Sequence, residues 1–204
     1  MTPLQIDGPD DATVTLLLAH GAGAGMDHEW MATVARGLAE RGLRVVRFEF
    51  SYMHARREGR RPGPDRMPKL LACYREVFDA QQGPVILAGK SMGGRAATML
   101  ADDVPCAGVV AFGYPFHPPG KPDNLRTAHL ETMRTPTLIV QGERDPFGTR
   151  DEVDGYDLSA QIRLRWIDDG DHSLKPRKKS GFTMQGNLAN AMDAAVAFAG
   201  EVTA

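Results

Sequence analysis

Short apolar runs alternate along this chain with longer stretches of helical spacing, and that alternation limits the available folds more than any other feature. The runs Val14–Ala19, Arg44–Phe50, Val85–Ala88, Ala107–Phe112, Thr137–Gln141 and Ile162–Ile167 read as strands. Near-continuous apolar strands belong to sheets buried on both faces. Between them, Trp30, Met31, Val34, Ala35 and Leu38 fall on one helical face, with Gly42 where a helix terminator belongs. Leu70, Leu71, Tyr74, Val77 and Phe78 repeat that spacing, Ala96–Ala101 continues it, and Gln185–Ala199 is an alanine-rich closing helix. Strands joined by helices call for an α/β fold with a mainly parallel sheet covered on both sides. Residues 51–66 lack an apolar period, contain prolines and glycines, and read as a loop.

The 204 residues contain no internal repeat and no linker, so one domain over 1–204 is expected. With 22 Gly and 14 Pro the chain is turn-rich, short of the ~25–30% Gly plus Pro of low-complexity sequences. A formal charge of −2 lacks the basic excess of general nucleic-acid binders, and no such partner is expected. Cys73 and Cys106 fit neither a metal knuckle nor a disulfide framework and are expected to be buried free thiols. No run approaches the ~18 apolar residues of a membrane span, and the N-terminus lacks a signal-peptide pattern. The expectation is a cytoplasmic protein without a membrane partner.

Directly after Val85–Ala88 the chain reads Gly89-Lys90-Ser91-Met92-Gly93-Gly94, a G-x-S-x-G pattern between a strand and a helix. In that context the serine sits on a tight turn that projects its hydroxyl beyond the sheet, and the glycines remove side-chain clashes. A compact turn with Ser91 as helix cap would use the same glycines, but the partners of a serine nucleophile follow in order. Asp145 lies just past the Thr137–Gln141 strand and His172 just past the Ile162–Ile167 strand, both at strand ends where open α/β sheets gather their sites. A serine nucleophile needs a base, and the base needs an acid to hold its tautomer. Asp168, Asp169 and Asp171 crowd the loop of His172 itself and are expected to cap or brace it.

The Met92 N–H, at the start of the following helix, is the first expected oxyanion donor. The loop His20-Gly21-Ala22-Gly23-Ala24-Gly25 follows the first strand and offers the N–H of Ala22 or Gly23 as the second. His20 is expected to brace this loop. Phosphate binding is the competing reading, but the loop matches neither G-x-x-x-x-G-K-[ST] nor a clean G-x-G-x-x-G.

From Val14 to Ala199 the chain resembles the α/β-hydrolase superfamily, in particular its small lidless branch that includes dienelactone-hydrolase-like proteins. His20-Gly-Ala, Gly89-Lys-Ser-Met-Gly-Gly-Arg95, Tyr114-Pro-Phe-His-Pro-Pro-Gly-Lys121 and Asp171-His172-Ser173 also resemble the group named for the testis-expressed protein 30 and the NSL-complex subunit 3. The resemblance implies the α/β-hydrolase fold with about six or seven strands, a catalytic triad of Ser91, Asp145 and His172, and no large lid. Dienelactone hydrolases proper use Cys where this chain has Ser91.

The reading is a serine hydrolase acting through an acyl-enzyme on a small-molecule ester, thioester or related acyl compound, without metal or organic cofactor. The alternative is a non-enzymatic binding or scaffold protein on the same fold, since fold does not fix function. Met26, Tyr114, Phe116 and His117 are expected to line the substrate pocket. Residues 51–69 and 175–179 each carry a net +4, which leaves −10 on the rest of the chain. The hypothesis that follows is an electropositive rim favouring anionic substrates or an acidic partner.

Overall fold

The computed structural model describes residues 2–204. The strands are β1 (Leu4–Asp7), β2 (Thr15–Ala19), β3 (Arg44–Phe48), β4 (Val85–Lys90), β5 (Gly108–Phe112), β6 (Thr137–Gly142) and β7 (Ile162–Ile167). The helices are α1 (Glu29–Ala39), α2 (Ser51–Arg57), α3 (Met67–Asp79), α4 (Met92–Ala101), α5 (Arg150–Val153) and α6 (Met184–Val202). All seven strands join one sheet in the order β1-β3-β2-β4-β5-β6-β7. Every pairing is parallel except β1 with β3, which is antiparallel.

Alternation along each strand divides the apolar residues between two cores. Leu17, Ala19, Val46, Phe48, Leu87 and Ala111 face α3 and α4, among Leu70, Tyr74, Val77, Ala97 and Leu100. Leu16, Leu18, Val45, Ile86, Ala88, Val110 and Phe112 face α1 and α6, among Trp30, Val34, Leu38, Leu188 and Phe198. Each strand of the sheet's centre therefore buries both faces, which is why its sequence is nearly continuous in apolar residues. No large lid covers the carboxyl edge of the sheet, and no helix among the described residues is long and apolar enough to cross a membrane.

Two local features, α2 and β1, differ from the sequence reading. Residues 51–66 are not wholly loop: α2 forms because Tyr52, Met53 and Ala55 bury one face, while Asp65 accepts the free Tyr52 N–H at 3.0 Å. Tertiary burial there outweighs an arginine-rich composition. β1 adds an antiparallel edge that the sequence hid, since Leu4 and Ile6 remain 44% and 50% exposed. Between β5 and β6 no α-helix forms, and the connection instead drops Tyr114, Phe116, Leu130 and Met133 into the core.

Candidate active site

Ser91 sits at the junction of β4 and α4 with φ 52 and ψ −114, outside the conformations that L-residues usually adopt. The turn closes because β2 runs directly beneath α4. A Cβ at Gly93 would collide with the Ala19 carbonyl and come within 2.7 Å of the His20 carbonyl oxygen, so only glycine fits. The hydroxyl is left at the carboxyl edge of the central strand.

His172 and Asp145 meet it there. His172 Nε2 lies 2.9 Å from Ser91 Oγ, and His172 Nδ1 lies 2.8 Å from Asp145 Oδ2. Asp145 is fully buried, and its carboxylate accepts from Gln141 Nε2 at 3.0 Å and from the Phe147 N–H at 2.9 Å. These donors fix the carboxylate in place. The Phe147 ring stacks on the imidazole with centroids 4.1 Å apart, closing one face of His172. With Nδ1 facing Asp145 and Nε2 facing Ser91, the two ring nitrogens have distinct partners.

The backbone of the histidine loop is held by three side chains from three elements. Lys90 Nζ donates to the His172 carbonyl at 2.6 Å, Trp30 Nε1 to the Ser173 carbonyl at 3.1 Å, and Asn187 Nδ2 to the Leu174 carbonyl at 2.9 Å. The loop needs these donors because Leu174, at φ 66, cannot lie in a regular ladder. Lys90 reaches its acceptor through space left by Gly113, where a Cβ would come within 2.9 Å of Lys90 Nζ and 2.8 Å of the His172 carbonyl oxygen. The ammonium also lies 5.7 Å from the Trp30 ring centroid. Burial pulls the Lys90 pKa down to about 8, against the pull of Asp145 and Asp171 in the other direction. On the solvent side, Asp171 accepts from the Ser173 and Lys175 N–H groups at 2.8 and 3.0 Å. Asp169 is clamped by Arg177 and Arg144, and its hydrogen bond from Arg177 holds its pKa down at about 2.

The glycine loop after β2 rests against the Ser91 turn: a Cβ at Gly21 would lie 3.7 Å from the Ser91 Cβ. His20 is buried and braces this loop. Its Nε2 accepts the Phe50 N–H at 3.1 Å, so Nδ1 carries the proton and donates to the Gly21 carbonyl at 2.7 Å. Burial lowers the His20 pKa and keeps that neutral form. The Tyr52 hydroxyl lies 3.0 Å from the Ala22 carbonyl oxygen and 3.2 Å from that of Gly21, which ties the loop to α2. Among the described residues, the N–H groups of Met92, Ala22 and Gly23 have no protein acceptor. Met92 follows Ser91 directly, and Ala22 and Gly23 follow Gly21, the loop residue that lies against Ser91.

The residues expected to line a pocket are placed differently. Tyr114 and Phe116 are fully buried, and His117 is 2% exposed, with Nδ1 2.9 Å from the Pro118 carbonyl oxygen. They fill the layer that a β5–β6 helix would otherwise supply. Met26 is also buried, its N–H and carbonyl fixed by Glu49 and Arg47. Four of the ten basic residues in segments 51–69 and 175–179 are paired with carboxylates: Arg57 with Glu49 and Asp27, Arg60 with Glu58, Lys69 with Asp65, and Arg177 with Asp169. Sequence reasoning missed Lys90, Trp30, Gln141 and Asn187 as supports of the site. The signal available for Lys90 was a lone lysine at the end of an otherwise apolar strand.

The fold agrees with comparisons to known proteins. An α/β-hydrolase serine hydrolase homologue from Coxiella burnetii is 23% identical, with a TM-score of 0.67 over 95% of this chain and 89% of that one. Dienelactone hydrolase from Anabaena variabilis is 22% identical with a TM-score of 0.71, covering 96% and 89%. XC6422 from Xanthomonas campestris, described as an α/β serine hydrolase without lid, is 21% identical with a TM-score of 0.69, covering 95% and 87%. At these identities the likeness is one of fold. Residues 12–200 match the alpha/beta hydrolase domain family. The narrower likeness to the testis-expressed protein 30 group rests on its motifs alone, whereas the chain as a whole belongs to the α/β-hydrolase family.

Proposed function

We propose that this protein is a serine hydrolase that cleaves small ester or thioester substrates through an acyl-enzyme. The observation that carries this reading is the continuous hydrogen-bonded line from Ser91 Oγ through His172 to buried Asp145, at 2.9 and 2.8 Å. His172 Nε2 takes the Ser91 proton as Oγ attacks the acyl carbonyl, and Asp145 holds the opposite nitrogen and stabilises the imidazolium. The tetrahedral oxyanion is stabilised by the Met92 N–H together with that of Ala22 or Gly23. His172 then gives its proton to the leaving group, and water attacks the acyl-enzyme by the same route. This sequence uses no metal or organic cofactor. The absence of a large lid favours small, accessible substrates over lipids enclosed by a cap.

The test is labelling with a fluorophosphonate probe, which modifies activated serines. Wild-type protein is expected to label and Ser91→Ala to keep its fold and lose all labelling. Labelling that persists in Ser91→Ala removes Ser91 as nucleophile. Wild-type protein that neither labels nor hydrolyses a panel of p-nitrophenyl esters and acyl thioesters returns the scaffold reading.

A further inference from the structure

The Phe147 ring lies on the His172 imidazole, with centroids 4.1 Å apart and planes inclined by 28°. Two backbone hydrogen bonds hold it there. The Phe147 N–H donates to Asp145 Oδ1 at 2.9 Å, and its carbonyl accepts the His117 N–H at 3.2 Å. His117 is itself 2% exposed, so the second bond ties the ring's backbone to the core. The carboxylate that faces His172 Nδ1 and the ring that covers the imidazole thus belong to one short segment, Asp145-Pro146-Phe147. Phe48, Phe50, Phe112 and Phe116 are buried completely, whereas Phe147 is half-buried. The His172 side chain beneath it keeps 22% of its surface exposed.

The order of the strands sets the ring on one side of Ser91. Ser91 follows β4; the glycine loop follows β2, the neighbour on one side, whereas Phe147 follows β6 and His172 follows β7 on the other. In the acyl-enzyme route, the oxyanion turns toward Met92 and the glycine loop, and the leaving atom turns toward His172 Nε2. That atom must come within about 2.6–3.2 Å of Nε2 to take its proton. The leaving group therefore departs on the β6 side, past an imidazole whose face Phe147 already covers. A planar substituent on the leaving atom can pack against the Phe147 ring in the offset or edge-on arrangements that aromatic quadrupoles favour. A saturated ring of the same carbon count is thicker and has no such quadrupole.

We propose that Phe147 is a specificity-determining residue on the leaving-group side of the Ser91 site, selecting esters of aromatic alcohols. The inference deepens the serine hydrolase reading and rests on Ser91 as the nucleophile. Selection acts on the alcohol half of the ester, which His172 protonates beside the Phe147 ring, and leaves the choice of acyl group unchanged.

The test compares benzyl acetate with cyclohexylmethyl acetate, which share the acyl group and the carbon count of the alcohol and differ in planarity. The ratio of their kcat/KM values is expected to be larger in wild-type protein than in Phe147→Leu by about threefold or more, and Phe147→Tyr to keep the wild-type ratio. The intrinsic reactivities of the two esters cancel between proteins, and a ratio does not depend on how much of a variant is folded. A loss of turnover common to both esters, with the ratio unchanged in Phe147→Leu, means that the ring only seats His172 and overturns the proposal. The ratio of benzyl acetate to benzyl butanoate reads the acyl side and is expected to stay the same in Phe147→Leu. A change there as large as that on the alcohol side also overturns it. Wild-type protein that labels with the fluorophosphonate probe yet hydrolyses neither acetate overturns the assignment of Phe147 while leaving Ser91 as nucleophile. Wild-type protein that does not label removes both readings.

Discussion

Lys90→Met separates the two effects that the Lys90 ammonium has on this protein. The ammonium is buried beneath the histidine loop and donates to the His172 carbonyl at 2.6 Å, so it positions His172 while resisting its own burial. Its pKa falls from 10.5 to about 8. That difference corresponds to about 3 kcal/mol by which the folded state disfavours the charged form. The folded pKa is the lower one, so between pH 8 and 10.5 the unfolded chain binds more protons and stability rises with pH. About 2.5 kcal/mol of the gain falls between pH 7 and pH 10. Lys90→Met lacks this rise. In urea unfolding, the wild-type minus variant stability difference is expected to grow by about that amount between the two pH values. Other titrating groups cancel in the difference. Activity moves the opposite way. A charge-assisted bond to the carbonyl is worth about 1.5–3 kcal/mol and a neutral one about 0.5–1.5, so wild-type kcat declines above pH 8. The variant starts lower at pH 7, by about ten- to a hundredfold for a base displaced by up to ~1 Å, and shows no such decline. A stability difference equal at pH 7 and pH 10, with parallel kcat profiles, would refute the assignment.

Asp145→Asn is expected to lower kcat by about 10⁴ with little change in Tm, because the amide sets the wrong His172 tautomer while keeping the packing; ester turnover and a thermal melt check both halves. Gly93→Ala forces a methyl into the Ala19 and His20 carbonyls, which are backbone and cannot swing away, so a loss of about 3 kcal/mol or more is expected in urea unfolding. Glu49→Gln removes the fully buried partner of Arg57, but Arg57 is 41% exposed and can turn to water. The expected cost is therefore about 1–3 kcal/mol, below the range for pairs buried on both sides, again by urea unfolding.

How far the sequence could be read followed from where each residue's constraint originates. The central strands were legible because burial on both faces forces an unbroken apolar run, as in Leu16-Leu17-Leu18 and Val109-Val110. β1 was not, since a four-residue edge strand with exposed Leu4 and Ile6 has no burial to write into its pattern. In α2 the stabilising contacts of Tyr52 and Met53 lie on other elements, and the arginines that dominate its composition say nothing of them. Ser91, Asp145 and His172 could be named because each follows a strand end and each chemistry admits few residue types. Lys90, Trp30 and Asn187 could not, because a donor to a backbone carbonyl is defined only by what lies opposite it, 82 residues away in the case of Lys90.

Aromatic residues and charges show the same limit in another form. Tyr114 and Phe116 are equally suited to a core or to a pocket wall, and only the missing β5–β6 helix decides that they fill the core. Counting charges directed attention to residues 51–69 and 175–179, yet Arg57, Arg60, Lys69 and Arg177 are all paired with carboxylates. A net charge counts partners and non-partners alike, whereas affinity for an anion depends on cations that the protein leaves unpaired and partly removed from water.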